Sequence, residues 1–361
     1  MNSIRSRFIL LLLVVAGMLG IACNSSNHGS QNTTIIGAGS TFINPMMSHW
    51  ISEFQKSHSG VQINYQSIGS GGGIQQLKKG LVDFGASDAA LDDQQLQEMP
   101  AIVQIPESAG PVCITYNLPE LKSSLKLSGE TLAKIYLGQI KTWQDPAIKK
   151  ENSGVNLPNH PIQVVHRSDG SGTSNIFTTY LAKVSPEWSQ KVGKGISVSW
   201  PVGVGGKGSE GVTNNVRQTP GAIGYVELTY ATENKLPVVQ IRNKAGEWVE
   251  PTAAGASAAI NAFQSELAKD VRTPVVDPPA SAKDAYPISG LTYLLIPKQG
   301  KDAAKEGMVK QFVQYVITQG QDSAESLQYS KLPQSLAELD QKLLGEVQGG
   351  QQTSSNQQPS Q

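Results

Sequence analysis

Ile162-Gln163-Val164-Val165-His166-Arg167 followed by Ser168-Asp169-Gly170-Ser171-Gly172-Thr173-Ser174 is the stretch whose reading decides the fold. The first six residues read as a short apolar strand and the next seven as a Gly/Ser-rich turn. Ile176, Phe177, Tyr180 and Leu181 then recur at the spacing of one helix face. The same strand–turn–helix unit occurs twice more. Thr34-Ile35-Ile36 runs into Gly37-Ala38-Gly39-Ser40-Thr41, with a helix beginning near Phe42 to Pro45 that carries Met46, Met47, Trp50, Ile51 and Phe54. Val61-Gln62-Ile63-Asn64-Tyr65 runs into a turn spanning Ser67 to Gly73, with Ile74 and Leu77 on the helix beyond it. Strands alternating with helices in this way predict an α/β fold.

Three such turns also predict chemistry. A helix N-terminus offers unpaired backbone N–H groups and partial positive charge, so a small anion is its natural ligand. Glycine lets the backbone approach closely, and Ser or Thr adds a hydroxyl donor. Arg167 enters the third turn with a planar fork suited to an oxyanion, and Asp169 is placed to brace it. Val82-Asp83-Phe84-Gly85-Ala86-Ser87-Asp88 ends another strand on a carboxylate. Asp88 among anion donors would repel a fully ionised oxyanion and accept a hydrogen bond from one that keeps a proton, which separates phosphate from sulfate. From the residues alone, an ordinary loop aspartate is the better reading of Asp88.

The ends bound the rest. Arg5 and Arg7 precede an apolar run from Phe8 to Ala22 that is shorter than the roughly 20 residues of a membrane span, and residues 1–23 read as a secretory signal. Cys23 follows Ala22 as in a lipoprotein processing site, although Gly20 stands where that pattern ordinarily has a larger aliphatic residue; ordinary cleavage is the alternative. Lipidation of Cys23 would tether the protein through residues 24–33 without a spanning helix. Cys113 is the one other cysteine and reads as a buried strand residue, so no disulfide framework is expected. The chain has 29 basic and 29 acidic residues; without Arg5 and Arg7 the remainder is 27 against 29, and no basic stripe points to nucleic acid. A Gln/Ser tract closes the chain and is expected to be disordered.

With the leader removed, more than 330 residues remain, enough for two domains. Val271 to Pro287, with prolines at 274, 278, 279 and 287, reads as a connection between them. The strand 291–296 and the helix carrying Val309, Phe312 and Val313 are too little for a domain and are expected to complete the first. The expected division is 34–110 plus 288–345 as lobe I and 111–287 as lobe II, followed by a tail at 346–361.

Four segments carry a family resemblance: Gly37–Phe42, Tyr65–Gly73, Asp83–Asp88 and His166–Ser174. Together with Trp143, Gly203–Gly208 and Pro220–Tyr225 they closely resemble, in order, the phosphate-binding protein of bacterial phosphate ABC importers. The resemblance spans roughly residues 33 to 345. It implies a two-lobed periplasmic-binding-protein fold of type II with inorganic phosphate in the crevice, and no cofactor. It further implies Thr41 and Phe42 as backbone donors, Ser70 as hydroxyl and N–H donor, and Asp88 as acceptor. Arg167 would be the charged donor, Ser171, Gly172 and Thr173 the cap, and Asp169 the support of Arg167. The partners implied are the importer's membrane permease and ATPase subunits, with this protein exported to the periplasmic or cell-surface side as a membrane-anchored lipoprotein.

An enzyme working on the same cradle needs an activated nucleophile or a metal. The five histidines show no ligand spacing, Ser171 has no evident base, and Gly206-Lys207-Gly208 lacks the Ser or Thr of a Walker-type loop. The expectation is therefore a receptor without catalysis and without a metal. A receptor for sulfate, molybdate or tungstate is the nearer rival, and Asp88 discriminates against it.

Overall fold

The computed structural model describes residues 33–300 and 302–348. The expected signal segment, Cys23, the tether before Thr33 and the tail beyond Gln348 lie outside the described residues. The tail was expected from residue 346, but Val347 is buried and Gln348 N–H donates to the Lys298 carbonyl at 2.8 Å, so the packed chain runs at least through Gln348.

Among the described residues the strands are β1 Thr33–Gly39, β2 Val61–Ser67, β3 Phe84–Ser87, β4 Ile102–Tyr116, β5 Lys126–Leu127, β6 Gln163–Arg167, β7 Val204–Gly206, β8 Ala222–Glu227, β9 Gln240–Arg242, β10 Trp248–Val249 and β11 Ser289–Pro297. Eight form one sheet in the order β2-β1-β3-β11-β4-β8-β6-β7, and β10-β9-β5 form a small second sheet. At one end β1 runs parallel to β2 and β3; at the other β6 runs parallel to β7 and β8. The two parallel wings meet through antiparallel β11 and β4. Residues 102–111 of the long β4 pair with β11, while Val112–Tyr116 pair with β8, so one strand belongs to both wings. The chain returns at Ser289, and β11 inserts beside β3.

Each wing has an aromatic core built from helical stripes. The Asn44–Ser57 helix buries Met46, Met47, Trp50, Ile51 and Phe54, and Phe54 and Phe84 both pack against Phe312 of the Ala303–Val316 helix. In the other wing Phe177 lies 4.5 Å from Tyr225 and 4.8 Å from Tyr136 between ring centres. Each such side chain contributes about 1.5–3 kcal/mol by burial, and the indole N–H groups stay paired: Trp50 with the Gly320 carbonyl at 2.8 Å and Trp143 with the Gly221 carbonyl at 3.0 Å. Cys113 is fully buried on β4 and carries a free thiol. Ser128 caps the Gly129–Tyr136 helix through the Thr131 N–H.

One local expectation is corrected. Gly71 to Gly73 were assigned to a turn, yet the helix already begins at Ser70 and spans Ser70–Lys78. These glycines serve approach rather than turning: a Cβ on Gly73 would lie 2.5 Å from the Ala38 carbonyl oxygen, so only glycine lets this helix seat on the end of β1. Among the described residues no helix is long and apolar enough to cross a membrane.

Candidate anion-binding site

The sheet carries the three turns to one place. β1 delivers Ser40, Thr41 and Phe42 ahead of the Asn44–Ser57 helix, and β2 delivers Ser70 at the start of the next helix. β3 ends one residue before Asp88, and β6 ends on Arg167 ahead of the Gly172–Val184 helix. All these side chains are buried, Asp88 and Arg167 to 4% exposure each.

The donors and acceptors of these turns interlock. Ser70 Oγ accepts from the backbone N–H groups of Asp88 at 3.2 Å and Gly172 at 3.1 Å. Ser40 donates its hydroxyl to Asp88 Oδ1 and accepts the Phe42 N–H at 3.0 Å. Thr173 donates to Asp88 Oδ2 at 3.3 Å, and Arg167 Nη1 reaches Thr173 Oγ1 at 3.5 Å. Ser171 caps its own helix by accepting the Ser174 N–H at 3.0 Å, which leaves its hydroxyl hydrogen for an outside partner. Phe42, Ser70, Asp88, Arg167, Gly172 and Thr173 thus join one polar cluster, with Ser171 at its edge, while Thr41 bonds instead to Ser209 and Tyr230.

Arg167 is held rigidly. Its Nε donates to Asp169 Oδ1 at 2.8 Å and its Nη2 to Oδ2 at 2.5 Å, a bidentate pair at the back of the guanidinium. Asp169 also accepts the Gly208 N–H at 3.0 Å, tying this pair to the start of the Gly208–Gln218 helix. Burial raises the Asp169 pKa, but the Arg167 hydrogen bonds and charge outweigh it and hold the carboxylate below its usual value. Asp88 is the opposite case. Burial dominates and pushes its carboxyl up to about 6, against the hydrogen bond from Ser40, the charge of Arg167 and hydrogen bonds from Thr292 and Thr173. The result is a buried cluster of amide and hydroxyl groups in which the one cation is paired with Asp169 and one acid is raised towards neutrality. Its chemistry suits an oxyanion that keeps a proton.

Several contributors escaped the sequence reading. Tyr225 OH accepts the Arg167 N–H at 3.1 Å and pairs with Ser174 Oγ at 2.6 Å. Ser209 Oγ lies 2.8 Å from Thr41 Oγ1, and its N–H donates to the same hydroxyl at 3.2 Å. Tyr230 donates to the Thr41 carbonyl at 2.7 Å. A signal for Ser209 existed: Val204 to Ser209 is a fourth strand–turn–helix unit. Lys207 is exposed, and His166 stacks on Trp200 with ring centres 4.9 Å apart, away from the cluster. Among the described residues no group of His, Cys, Asp and Glu is arranged to hold a metal.

A family model described as a PBP superfamily domain matches residues 24–319. The phosphate-binding protein PstS of Xylella fastidiosa is 44% identical over 312 residues, covering 86% of this chain and 85% of that protein. The one of Pasteurella multocida is 42% identical over 322 residues, covering 89% and 92%. The fold is shared with a high-affinity periplasmic phosphate-binding protein (PfluDING) solved with bound phosphate, at a TM-score of 0.67 and 23% identity, covering 86% of this chain and 93% of that one. It is shared also with a phosphate-binding protein from Stenotrophomonas maltophilia, at a TM-score of 0.65 and 19% identity, covering 85% and 92%. These structures establish a two-lobed α/β architecture, and by sequence the chain belongs to the family of phosphate-binding proteins PstS.

Proposed function

We propose that this protein is an extracytoplasmic receptor that binds inorganic phosphate in the crevice between two lobes and passes it to an ABC-type importer. The observation that carries the reading is the buried Asp88 carboxyl facing Ser40, Thr173 and Arg167. A carboxylate inside a nest of donors costs affinity for every anion except one that brings its own proton.

In this reading Thr41 and Phe42 give backbone N–H groups, Ser70 its hydroxyl and N–H, and Arg167 the charged fork. Ser171, Gly172 and Thr173 close over the ion from the helix they begin, Asp88 takes the ligand's proton in a hydrogen bond, and Asp169 keeps Arg167 aimed. Residues 34–110 with 288–345 form one lobe and most of 111–287 the other, with Ile260, Leu267 and Val275 packed among Ala38, Leu77 and Leu336 of the first, and lobe closure brings the two sets of ligands together. The protein performs no chemistry of its own: binding and release are the whole cycle. The closed form docks on the permease of an importer driven by its ATPase subunits, and Cys23 supplies a lipid tether.

Calorimetric titration with phosphate, arsenate, sulfate and molybdate tests the assignment. Tight phosphate binding with sulfate weaker by orders of magnitude supports it. Equal affinity for sulfate overturns it.

A further inference from the structure

Directly behind Asp88 stands a second acid that the anion site does not require. β4 and β11 pair Ser108 with Thr292 and Pro106 with Tyr293, so Glu107 is the extra residue of a β-bulge in the middle of the sheet. A bulge re-aims a side chain. Here Glu107 is fully buried, with Oε1 held 3.0 Å from the Thr292 hydroxyl and Oε2 without any hydrogen-bond partner. Thr292 is also fully buried, and its hydroxyl bears on the Asp88 carboxyl as well, acting to lower that group's pKa. A threonine hydroxyl has one proton to give, so it serves Glu107 or Asp88 but not both.

We propose that Glu107 is a positioning residue that tunes anion affinity through Thr292. As a neutral acid it donates to Thr292, whose own hydroxyl then donates to the Asp88 carboxylate. As a carboxylate it takes the Thr292 hydrogen bond for itself and adds a negative charge beside the bound oxyanion.

The surroundings favour the neutral form. The titratable groups facing Glu107 are Asp88 across Thr292 and the phenol of Tyr65 on β2; from the 3-10 turn Gln319–Ser323, Gln321 donates to the backbone carbonyl of Glu107 at 2.8 Å, not to its carboxyl. Among the described residues no Lys, Arg or His makes an ion pair with Glu107; the cations are engaged elsewhere, Arg167 with Asp169. Burial therefore pushes the Glu107 carboxyl up to about 8, with the Thr292 hydrogen bond opposing and the Asp88 charge adding to it. A bound anion raises it further, so binding and protonation of Glu107 help each other by linkage.

This inference rests on the phosphate reading above, and the test separates the two. Phosphate is titrated by calorimetry from about pH 7 to about pH 9 into the native protein, Glu107→Gln and Thr292→Val, in buffers of different ionisation enthalpy. Above about pH 8 phosphate in solution is already the dianion, so Glu107 dominates what changes. The native protein is expected to lose up to about tenfold in affinity by about pH 9 and to take up a fraction of a proton on binding. Glu107→Gln is expected to hold its affinity across that range with no uptake, and Thr292→Val to show a weaker pH dependence than native. A native protein that binds phosphate with flat affinity and no proton uptake overturns the inference, as does a Glu107→Gln profile that copies the native one. Should Glu107→Gln not fold, the native proton count alone decides. Absence of phosphate binding by the native protein at about pH 7 defeats the receptor reading itself, and this inference with it.

Discussion

Ser70 Oγ accepts the backbone N–H of Gly172 at 3.1 Å, a bond that joins the first residues of two helices 102 positions apart in the chain. The hydroxyl comes from the wing built on β1, β2 and β3 and the amide from the helix that follows β6. Both helices point their positive ends at this contact, so the bond marks where two fields favourable to an anion overlap.

That contact leaves no room for a side chain. A Cβ on residue 172 would stand 2.6 Å from Ser70 Oγ and 2.7 Å from both N and Cβ of Asp88. Gly172→Ala is expected to wedge the two helix ends apart and to weaken phosphate binding by more than tenfold, while costing about 1–3 kcal/mol of stability as local overpacking does. Titration calorimetry together with thermal unfolding reads both quantities. Unaltered affinity in a folded Gly172→Ala protein would show that the two helix ends do not close on a ligand.

Selectivity against sulfate should depend on pH with a sign set by Asp88. Its carboxyl titrates near 6 because burial raises it, so above that value it is a carboxylate that repels an oxyanion without a proton. Below about pH 6 it becomes a neutral donor, and sulfate affinity should rise by up to about tenfold per pH unit. Asp88→Asn should bind sulfate more tightly than native at about pH 8 and lose the pH dependence. Competition titrations with sulfate at several pH values check this, and a native sulfate affinity that stays constant from about pH 5 to about pH 8 speaks against Asp88 as the discriminator.

Arg167 and Asp169 should contribute unequally. Arg167→Lys removes the fork that grips Asp169 at 2.8 and 2.5 Å and offers a point charge in its place. One or two charged hydrogen bonds at about 1.5–3 kcal/mol each imply at least a tenfold loss of phosphate affinity. Asp169→Asn keeps an acceptor for the Gly208 N–H at 3.0 Å and should lose less. Comparing the two dissociation constants tests the order; a larger loss in Asp169→Asn would make that carboxylate, rather than the guanidinium, the organising group.

How much of this was legible beforehand follows from the physics of each contact. The turns that carry Thr41, Ser70, Arg167 and Thr173 announce themselves because turns have local signatures in Gly, Ser and Thr, whereas the individual ligands come from the family resemblance. Tyr225, Thr292 and Glu107 are silent in the sequence because sheet pairing brings them in: Thr292 meets Glu107 185 positions away. The bulge that exposes Glu107 to Thr292 is a register event between β4 and β11; Pro106 marks a break in the ladder, but nothing in Ile105-Pro106-Glu107-Ser108 names the partner it meets. Gly71 to Gly73 misled for a related reason. A glycine run signals a turn locally, whereas here the demand for glycine comes from β1, more than thirty residues upstream.

The last prediction concerns stability. Asp340, in the Gln334–Gly345 helix, is fully buried, neither carboxyl oxygen has a hydrogen-bond partner, and burial pushes its carboxyl up to about 8. Glu107 and Glu227 are buried acids raised to about 8 as well, each with one oxygen unpartnered. The unfolded chain releases these protons near pH 4, whereas the folded protein keeps them to about pH 8, so the folded state binds more protons across that window. Stability should therefore be greatest on the acid side of the window and fall as pH rises towards about 8, then level off. Asp340→Asn removes one of the three ionisations without changing the shape of the side chain. Its melting temperature should match the native one near about pH 4 to 5 and exceed it by several degrees at about pH 8. Scanning calorimetry of the two proteins over that range checks the sign; a native curve that gains stability towards about pH 8, with Asp340→Asn below it, would mean that Asp340 is charged and partnered in the fold.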